Sequence, residues 1–521
     1  MNGAESLVRT LIDSGVDLCL SNPGTSEMHF VAALDKVDGM RCVLGLFEGV
    51  VTGAADGFYR MAERPAATLL HLGPGLGNGL ANLHNAKKAR SGIVNIVGEH
   101  ASHHLAHDAP LTSDIAAVAQ PMSDWVKTCA SSEEVACDGA AAVEVARTAP
   151  GRIATLILPA DAAWNAAQRS HKARAPAARA AVSPQAVRDA ASALRGGSSH
   201  GNGHGTVLLL GGGAVREQPL LMAGRIAAKM GCGLISEYNS ARLQRGAGRV
   251  SPQRVPYVVD NALALLKGLR HVVLVGAKPP VGFFAYPGKP SLLAPLGCVF
   301  TTLATVEEDI DAALEALADE LGARKMEPAY VAEHQPPALP DGAATPDGIA
   351  AVVGALLPPH AIVVDEAVSS GRGLPALTRH SAPHDWLTSM GGSIGYGLPV
   401  AVGAALACPG RKVVALEGDG SAMYTLQALW TMARESLDIA IVIFANRSYN
   451  ILRGEFDNVG AGSPGRRAID MFSLDRPALD WCALARGHGV EAARAADLTE
   501  FARQFRRALA SKGPYLIEVL C

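Results

Sequence analysis

LEGDGSAMYTLQALWTMARESLDIAIVIFANRSYNIL, residues 416–452, contains two apolar runs, each followed at once by polar residues. The first run ends at Gly418-Asp419-Gly420-Ser421, a helical stretch follows, and the second run ends at Asn446. Continuous apolar runs separated by helices indicate parallel strands that are buried on both faces. Because the carboxyl ends of parallel strands meet at one edge of a sheet, we expect Asp419 and Asn446 to lie close together.

The residues at these two strand ends suit a magnesium diphosphate. Asp419, the side-chain oxygen of Asn446 and a carbonyl after it could surround Mg²⁺, which takes oxygen ligands and usually completes its octahedron with phosphate oxygens. Gly418 and Gly420 let backbone N–H groups approach a diphosphate, and a helix beginning near Ser421 adds its positive end. A lone GDG is an ordinary turn, but GDG followed by a helix, an apolar strand and Asn446 is far more specific.

The same alternation of apolar runs and Ala-rich helical stretches extends along the whole chain. It predicts the α/β class, with three doubly wound α/β domains and mostly parallel sheets. The predicted strands are 41–45, 66–73, 92–98, 153–159, 206–212, 271–277, 361–367, 412–420, 439–446 and 515–520.

Two segments divide the chain into the predicted domains 1–165, 183–328 and 345–521. The first, 166–205, is rich in Ala and Arg and ends in GGSSHGNGHG, where a polar loop is a better interpretation of His200 and His204 than a metal site. The second, 333–348, is rich in Pro and Gly, and Thr345-Pro346-Asp347 is typical of a helix start.

Composition excludes several classes of partner. The net charge of −3 argues against binding to nucleic acid or to an anionic membrane. No apolar run is long enough for a transmembrane helix, and residues 1–10 do not resemble a signal peptide. The nine cysteines show no CxxC or similar metal spacing, which is typical of a reducing compartment, so we expect a cytoplasmic protein.

The strand-end motifs resemble those of thiamin-diphosphate enzymes, in particular the family of acetolactate synthases, benzoylformate decarboxylases and pyruvate decarboxylases. The resemblance covers essentially the whole chain and implies a pyrimidine-binding, a central and a diphosphate-binding domain, in that order. It implies that Asp419, the Asn446 side chain and the Ser448 carbonyl bind Mg²⁺. The family commonly has two adjacent asparagines where this chain has Ala445-Asn446, but the second is the ligand.

The resemblance also implies residues that contact the cofactor. In SMGGSIGYGLPVAVGAAL, residues 389–406, Ile394 matches the apolar residue that keeps the cofactor bent, and Gly392 matches the residue whose carbonyl holds the aminopyrimidine. In DEAVSS, residues 365–370, Ser369 is the expected diphosphate contact. The remaining cofactor residues are expected to be Gly418, Gly420, Ser421 and Tyr449, together with the residues of the magnesium site and Glu48.

One acid lies in apolar surroundings in LFEGVVTGAADGFYRM, residues 46–61. Glu48 falls where a predicted buried strand is followed by a predicted buried helix, a costly position for an ionised carboxylate unless it is paired or its pKa is raised. The resemblance supplies a reason, because the family places its one glutamate here to drive the amino–imino shift of thiamin. A raised pKa in an apolar setting would suit that proton sharing.

Two residues lean toward the benzoylformate decarboxylase branch. His71, in LLHLGPGLGN at 69–78, matches a catalytic histidine of that enzyme, where acetolactate synthases usually have Ser or Thr. Thr25, in SNPGTSEMHF at 21–30, matches a serine that touches the substrate carboxylate. Two departures oppose assignment to either branch. PPVGFFAYPG at 279–288 has Phe283 and Phe284 where benzoylformate decarboxylase has a second catalytic histidine. Leu111 lies where acetolactate synthases have a glutamine.

A histidine-rich loop, GEHASHHLAHDAP at 98–110, contains His100, His103, His104 and His107. The adjacent histidines resemble the pair of pyruvate decarboxylases, and we take His104 as the catalytic candidate. A metal site and an exposed loop without function stay open as alternatives. For the central domain, LLLGGGAVRE at 208–217 lacks a complete GxGxxG with an acid at the next strand end, so we do not expect FAD.

Together these features predict a thiamin-diphosphate- and Mg²⁺-dependent 2-oxo acid decarboxylase or carboligase, similar to benzoylformate decarboxylase. The resemblance implies a ylid and an enamine intermediate, with His71 moving protons and Phe283 and Phe284 lining an apolar substrate cleft. It also implies a homodimer as the minimum unit and a homotetramer as the expected one. The alternatives are an acetolactate synthase, catalytic-subunit-like, and a thiamin-diphosphate-binding protein without catalysis.

Overall fold

The computed structural model describes residues 1–197 and 205–521, and it contains three sheets that follow one another along the chain. The first is a six-stranded parallel sheet with the strand order β2-β1-β3-β4-β6-β5. Its strands are β1 Leu18–Asn22, β2 Arg41–Leu44, β3 Ala66–Leu70, β4 Ile93–Glu99, β5 Trp125–Thr128 and β6 Ile153–Pro159. The helices around it are α1 Gly3–Asp13, α2 Met28–Lys36, α3 Glu48–Ala62, α4 Leu72–Ala89, α5 Ile115–Ala119, α6 Val135–Arg147 and α7 Ala160–Trp164.

The second sheet is five-stranded and parallel, in the order β10-β8-β7-β11-β12. The elements of this part of the chain are α8 Pro184–Gly197, β7 Thr206–Leu210, α9 Glu217–Met230, β8 Gly233–Ser236, β9 Leu243–Arg245, β10 Gln253–Arg254, α10 Val259–Leu266, β11 His271–Val275, β12 Val299–Ala304 and α11 Ile310–Glu320.

The third sheet has seven strands in the order β17-β18-β16-β15-β13-β14-β9. Its central strands are apolar because both faces are covered: all seven residues of β16 are buried. The elements are α12 Pro346–Leu356, β13 Ile362–Glu366, α13 Leu374–Leu377, β14 His384–Thr388, α14 Gly397–Ala407, β15 Val413–Gly418, α15 Asp419–Ala422, α16 Ala428–Arg434, β16 Ile439–Ala445, α17 Asn450–Asn458, α18 Arg466–Phe472, α19 Trp481–Gly487, β17 Glu491–Ala495, α20 Leu498–Ala510 and β18 Tyr515–Leu520.

The observed topology confirms the predicted fold class, a doubly wound α/β protein with mostly parallel sheets. Each predicted strand overlaps an observed one, and Thr345 caps α12 by accepting the Gly348 N–H at 3.1 Å. One strand crosses between units: β9 pairs antiparallel with β14, at the edge of the third sheet. The domain ranges 1–165, 183–328 and 345–521 stay predictions, and β9 shows that the second range is joined to the third.

The first and third sheets share an apolar core in which α3 packs directly on α14. Small residues let the two helix backbones approach: a Cβ at Gly403 would lie 1.9 Å from the Ala54 carbonyl oxygen. This contact places the start of α3, where Glu48 lies, beside the loop that leads into α14.

Two further expectations concern the surroundings of the fold. No helix among residues 1–197 and 205–521 is long and apolar enough to cross a membrane. His200 and His204 lie outside the described residues.

Candidate active site

The first half of the site is the pair of strand ends that the sequence analysis singled out. β15 and β16 are parallel neighbours, so Asp419, which begins α15, and Asn446, which follows β16, lie at the same edge of the sheet. The Asp419 carboxylate accepts the Arg447 N–H at 2.6 Å and the Gly420 N–H at 2.9 Å. The structure therefore brings the two motifs together.

Asn446 connects its own loop with the loop that follows β13. Its side-chain oxygen accepts the Ser448 N–H at 2.9 Å, and its amide donates to the Ser370 hydroxyl at 3.1 Å. Ser370 is buried, whereas the expected contact Ser369 is half-buried beside it. Ser370 thus joins the loop at this edge, a residue that the sequence analysis passed over in favour of its neighbour.

These residues fit a divalent cation and a diphosphate. Asp419 is only 2% exposed, and burial raises its pKa to about 6. Its carboxylate is held by backbone N–H groups rather than by a cationic side chain, so an oxygen-seeking cation would give its charge a partner. The ring of Tyr449 covers Gly420, where a Cβ would come within 2.5 Å of it. Ser421 lies in the first turn of α15 and donates its hydroxyl to the Gly418 carbonyl at 3.0 Å.

The loop before α14 carries Gly392 and Ile394. Gly392 has φ +75°, a conformation that favours glycine, and its N–H donates to the Ser389 hydroxyl at 3.0 Å. Side chains of α4 hold the loop: a ring nitrogen of His84 lies 3.1 Å from the Gly391 carbonyl oxygen, and Asn85 donates to the Ser393 carbonyl at 2.8 Å. Ile394 is half-buried.

Two buried glutamates lie behind this loop. Glu366 and Glu417 face each other on β13 and β15, and Glu366 accepts the N–H groups of Gly395, Tyr396 and Gly397 at 2.8–3.2 Å. Burial raises the pKa of Glu366 to about 7, and it raises the pKa of Glu417 well above the usual value, because Glu417 also faces the Glu366 charge. Three donors stabilise a charge on Glu366, so Glu417 is the carboxyl that keeps a proton.

The second half of the site surrounds Glu48. This residue is 6% exposed, begins α3, and accepts a hydrogen bond from the Asn78 side chain at 3.0 Å. It lies close to His71, because a Cβ at Gly75 would be 3.0 Å from Glu48 Oε1 and 3.2 Å from His71 Cβ. The structure therefore brings Glu48 and His71 together.

His71 has a partner that the sequence analysis missed. Nδ1 of His71 lies 2.8 Å from Oε2 of Glu27, which also accepts the Gly24 N–H at 2.8 Å. Glu27 is 3% exposed, and its other oxygen is buried without a hydrogen-bond partner among the described residues. A carboxylate at Nδ1 holds a proton on that nitrogen and leaves Nε2 for substrate chemistry. Thr25 is exposed and follows Gly24. The two residues lie close to His71, because a Cβ added at Gly24 would be 2.1 Å from His71 Nδ1.

His104 lies apart from this pair, on the exposed histidine-rich loop. Its ring centroid is 5.5 Å from that of His100 and 5.6 Å from that of His107. In the part of the chain that the structure describes, the ligand atoms of His100, His103, His104 and His107 do not form a group of three close enough to hold a metal ion. The metal alternative thus gains no preformed site, and the catalytic role of His104 stays a prediction.

Phe283 and Phe284 lie beside the Gly392 loop. Their ring centroids are 5.0 Å apart, and the Phe283 ring would be 2.6 Å from a Cβ at Gly392. Both side chains are about half exposed, so they form an apolar wall at the surface of this loop. Their role in lining a substrate cleft stays a prediction.

One reason for not expecting FAD was wrong. β8 is followed at once by Glu237, so an acid does lie at the strand end after the Gly211 turn. The short strand β8 had not been recognised, which is why this acid was missed. The Glu237 carboxylate lies against Gly211, where an added Cβ would be 2.3 Å from Oε2, and it accepts the Lys278 N–H at 3.2 Å. The expectation that the protein does not bind FAD stays a prediction.

Two family profiles match the chain where the two half-sites lie. The profile described as "Thiamine pyrophosphate enzyme, N-terminal TPP binding domain" matches residues 1–119, and the one described as "Thiamine pyrophosphate enzyme, C-terminal TPP binding domain" matches residues 371–519. A protein of Mycobacterium tuberculosis H37Rv, provisionally named acetolactate synthase large subunit IlvX, is 50% identical over 100% of this chain and 99% of its own. The chain belongs to the thiamine pyrophosphate enzyme family.

Further relatives place this thiamine pyrophosphate enzyme between two branches. Benzoylformate decarboxylase of Pseudomonas aeruginosa PAO1 is 30% identical over 97% of this chain and 96% of its own. The solved structure of thiamine diphosphate-dependent 4-hydroxybenzoylformate decarboxylase from Rhodococcus jostii RHA1 has a TM-score of 0.85 and 25% identity, covering 100% of this chain and 99% of that one. This thiamine pyrophosphate enzyme is thus a lyase or a transferase related to both branches.

In this thiamine pyrophosphate enzyme, His71 and the loop that carries Gly392 lie toward opposite ends of α4. His71 precedes the helix, whereas His84 and Asn85 near its other end hold the loop that carries Gly392. Fourteen residues of helix between His71 and Asn85 correspond to about 21 Å at 1.5 Å per residue. His71 of one chain is therefore far from the 391–393 loop of the same chain.

Proposed function

We propose that this protein is a thiamin-diphosphate- and Mg²⁺-dependent 2-oxo acid decarboxylase or carboligase of the benzoylformate decarboxylase type. The observation that supports this best is the His71–Glu27 pair beside Glu48. Loss of CO₂ from a 2-oxo acid leaves an electron pair on the former carbonyl carbon, and release of an aldehyde needs one proton there. An imidazole oriented by a buried carboxylate is suited to deliver that proton.

The cofactor supplies the electron sink for decarboxylation when it is bound. Asp419, the Asn446 side chain and the Ser448 carbonyl would hold Mg²⁺, and Gly420 would allow the close approach of the diphosphate. Glu48 would share a proton with the aminopyrimidine ring of the bound cofactor, and its burial would keep competing water away. Thr25 offers a hydroxyl for the substrate carboxylate, next to His71.

The distance between His71 and the 391–393 loop of the same chain supports a site built by two copies of the chain. A cofactor held by Gly392 and Asp419 of one copy would meet Glu48 and His71 of another. The homodimer is then the smallest active unit, and a symmetric pair of dimers gives the homotetramer.

One observation favours the acetolactate synthase alternative, namely the 50% identity with a relative that carries that provisional name. In that reaction a second 2-oxo acid, rather than a proton, captures the carbon that has lost CO₂. His71 argues for the proton, because a hydroxyl residue is usual there in the synthases.

The deciding experiment incubates the holoenzyme, loaded with thiamin diphosphate and Mg²⁺, with pyruvate and separately with benzoylformate, and identifies the products. We expect CO₂ and benzaldehyde from benzoylformate. Acetolactate from pyruvate, without turnover of aryl substrates, would replace our proposal with the synthase alternative.

Substitutions test which residues act. The His71→Asn variant should lower kcat for benzoylformate by about 10²-fold or more, which is the range for loss of a general acid–base group. His334→Asn, at an exposed position outside both half-sites, serves as the matched control and should keep full activity. Equal activity of both variants would remove His71 from the chemistry.

The non-catalytic alternative is tested without turnover. Glu48→Gln should still bind thiamin diphosphate with Mg²⁺ but should stop exchange of the thiazolium C–H proton, followed by NMR in deuterium oxide. Wild-type chain that fails to accelerate this exchange would support a binding protein without catalysis.

A further inference from the structure

A second cleft of about 690 Å³ lies between the second and third sheets. The edge strand β10 and its neighbour β8, together with the segment before β11, form one side, and residues of α13 and the turn after it form the other. Its lining residues are different from those of the candidate active site. The volume falls within the range of small-molecule sites.

The cleft is lined by positive charge. Arg245, Arg254, Lys267 and Arg379 line it, and no described lining residue is acidic. Asp365, which does not line the cleft, interacts electrostatically with Arg245 and Arg254, and burial raises the pKa of its carboxyl. Because the whole chain carries a net charge of −3, this cluster of four cations is a local feature.

Two of these cations, Arg245 and Arg254, contact backbone carbonyls and aromatic rings but form no ion pair with a carboxylate of the described residues. The Arg245 guanidinium is buried, donates to the Pro375 carbonyl and lies 5.1 Å from the centre of the Trp386 ring. The Arg254 guanidinium donates to the Tyr238 carbonyl and lies 4.3 Å from the centre of the Tyr238 ring. Backbone and rings use only some of the five N–H donors of each guanidinium. The remaining donors suit the oxygens of a phosphate or carboxylate.

The remaining lining is mixed: Leu234, Leu265, Leu269 and Tyr330 contribute apolar surface, and the uncharged polar residues are Ser236, Ser251 and Gln253. We propose that this cleft binds a small organic anion that carries at least two negative charges next to an apolar or aromatic group. The cations bind the charged end, and the leucines and Tyr330 cover the apolar end. This binding site is additional to the proposed reaction and does not depend on it.

The position of the cleft links it to the cofactor site. α13 lines the cleft and follows directly on the 367–373 loop, whose Ser370 receives the Asn446 amide. β9, which carries Arg245, pairs with β14 of the same sheet. A bound anion would therefore restrain α13 and β9 next to the loop that faces the diphosphate.

The test uses phenyl phosphate, which combines a dianion with an aromatic ring. Isothermal titration calorimetry is carried out on the holoenzyme saturated with thiamin diphosphate and Mg²⁺, so that the cofactor's diphosphate already fills the site beside Asp419. We expect one site per chain, affinity that falls with salt, and tighter binding than for inorganic phosphate or phenol alone. No saturable binding, or equal binding of phenol, would overturn the proposal.

Variants assign the binding to the cleft. Lys267→Gln combined with Arg379→Gln changes two exposed cations of the lining and should weaken phenyl phosphate binding at least about tenfold, since two charge-assisted contacts are lost. The matched control combines Arg152→Gln with Lys325→Gln, two exposed cations outside the cleft, and should keep wild-type affinity. The same affinity in both double variants would refute the assignment.

Hydrogen exchange gives an independent readout. Phenyl phosphate should slow amide exchange in peptides from 243–254 and 374–379 of the wild-type holoenzyme but not of the cleft variant. Protection confined to peptides that contain Glu48 and His71 would place the ligand in the active site instead, and would count against the cleft.

Discussion

Glu27 shows how much a single residue of this site depends on its three-dimensional surroundings. It lies 44 positions from His71 in sequence, yet the two side chains meet at 2.8 Å because β1 and β3 are neighbouring parallel strands. The Glu27 side chain is buried and the His71 side chain is partly exposed, so the carboxylate acts as a fixed support for the imidazole ring.

Replacing Glu27 by Gln should lower kcat for benzoylformate by about 10²-fold, because the amide no longer fixes the proton on Nδ1 of His71. In the His71→Asn background the same change should cost little more, because the two residues act as one unit. Steady-state kinetics of both single variants and the double variant measure this coupling. Glu133→Gln, an exposed acid, is the control, and additive losses would show that Glu27 acts independently of His71.

The Glu366–Glu417 pair predicts how stability depends on pH. Both carboxyls have raised pKa values in the folded state, so their stabilising effect is complete below the unfolded value near 4.5 and is lost as pH rises through the folded values, near 7 for Glu366 and higher for Glu417. Glu417→Gln keeps the shape and removes one titration. We expect this variant to be more stable than wild type at pH 8, with the difference shrinking toward pH 5.

Thermal unfolding of the cofactor-free chain in chelator, at several pH values, measures this effect. Each unit by which a pKa is raised corresponds to about 1.4 kcal/mol. Glu327→Gln, at an exposed position, should follow the wild-type curve. A Glu417→Gln variant that is less stable than wild type at every pH would show that the proton on Glu417 is not what limits stability.

At the scale of elements, the contact between α3 and α14 joins the first and third sheets. Small residues on both helices make the approach possible, and large apolar side chains surround it. This contact also orients the Glu48 end of α3 relative to the loop before α14.

Gly403→Ala should therefore destabilise the protein, by about 1–3 kcal/mol, because the added Cβ would overlap the Ala54 carbonyl oxygen and force α3 and α14 apart. Chemical unfolding measures the change. Gly454→Ala is the matched control: it also lies in a helix, but a Cβ there meets nothing within 4 Å, and alanine has the higher helix propensity. Equal stability of both variants would mean that α3 and α14 separate at no cost.

At the scale of the whole molecule, the question is whether one chain or two complete the active site. Glu48→Gln and Asp419→Ala each disable one half-site. If the site lies between two copies, a mixed dimer of these variants contains one doubly altered site and one intact site. Random mixing should then restore about a quarter of wild-type activity, since half of the dimers are mixed and half of their sites are intact.

The mixing experiment denatures and refolds the two variants together, or coexpresses them, and compares the activity with that of each variant alone. Native mass spectrometry confirms that mixed dimers form. Mixed dimers without activity would place both half-sites in the same chain and would contradict the proposed assembly.

The metal site gives a further prediction. Asp419→Ala should abolish Mg²⁺-dependent retention of thiamin diphosphate, because the buried carboxylate that would bind the cation is gone. Gel filtration followed by assay of bound cofactor measures retention. Asp457→Ala, an exposed acid on α17, should retain the cofactor as wild type does, and full activity of the wild type after chelation would remove Mg²⁺ from the proposal.

Much of the fold and of the expected magnesium site could be predicted from the sequence, because the patterns that indicate them are local. Buried parallel strands appear as apolar runs of known length, and a strand end followed by GDG or by Asn446 places polar groups at a known edge of the sheet. The placement of Asp419 next to the Asn446 loop followed from those rules alone. The short strands β8 and β9 did not, because four or three residues carry too little pattern to be recognised.

The sequence by itself determined the fold class, the strand-end motifs and the family, because each is carried by residues that are near neighbours in the chain. The tertiary structure alone decided that Glu27 supports His71, that Glu366 faces Glu417, that α4 braces the Gly392 loop, and that four cations line one cleft. These are meetings between side chains from separate elements, and they depend on which strands and helices become neighbours. Periodicity records whether a residue is buried, but it does not record which residue it is buried against.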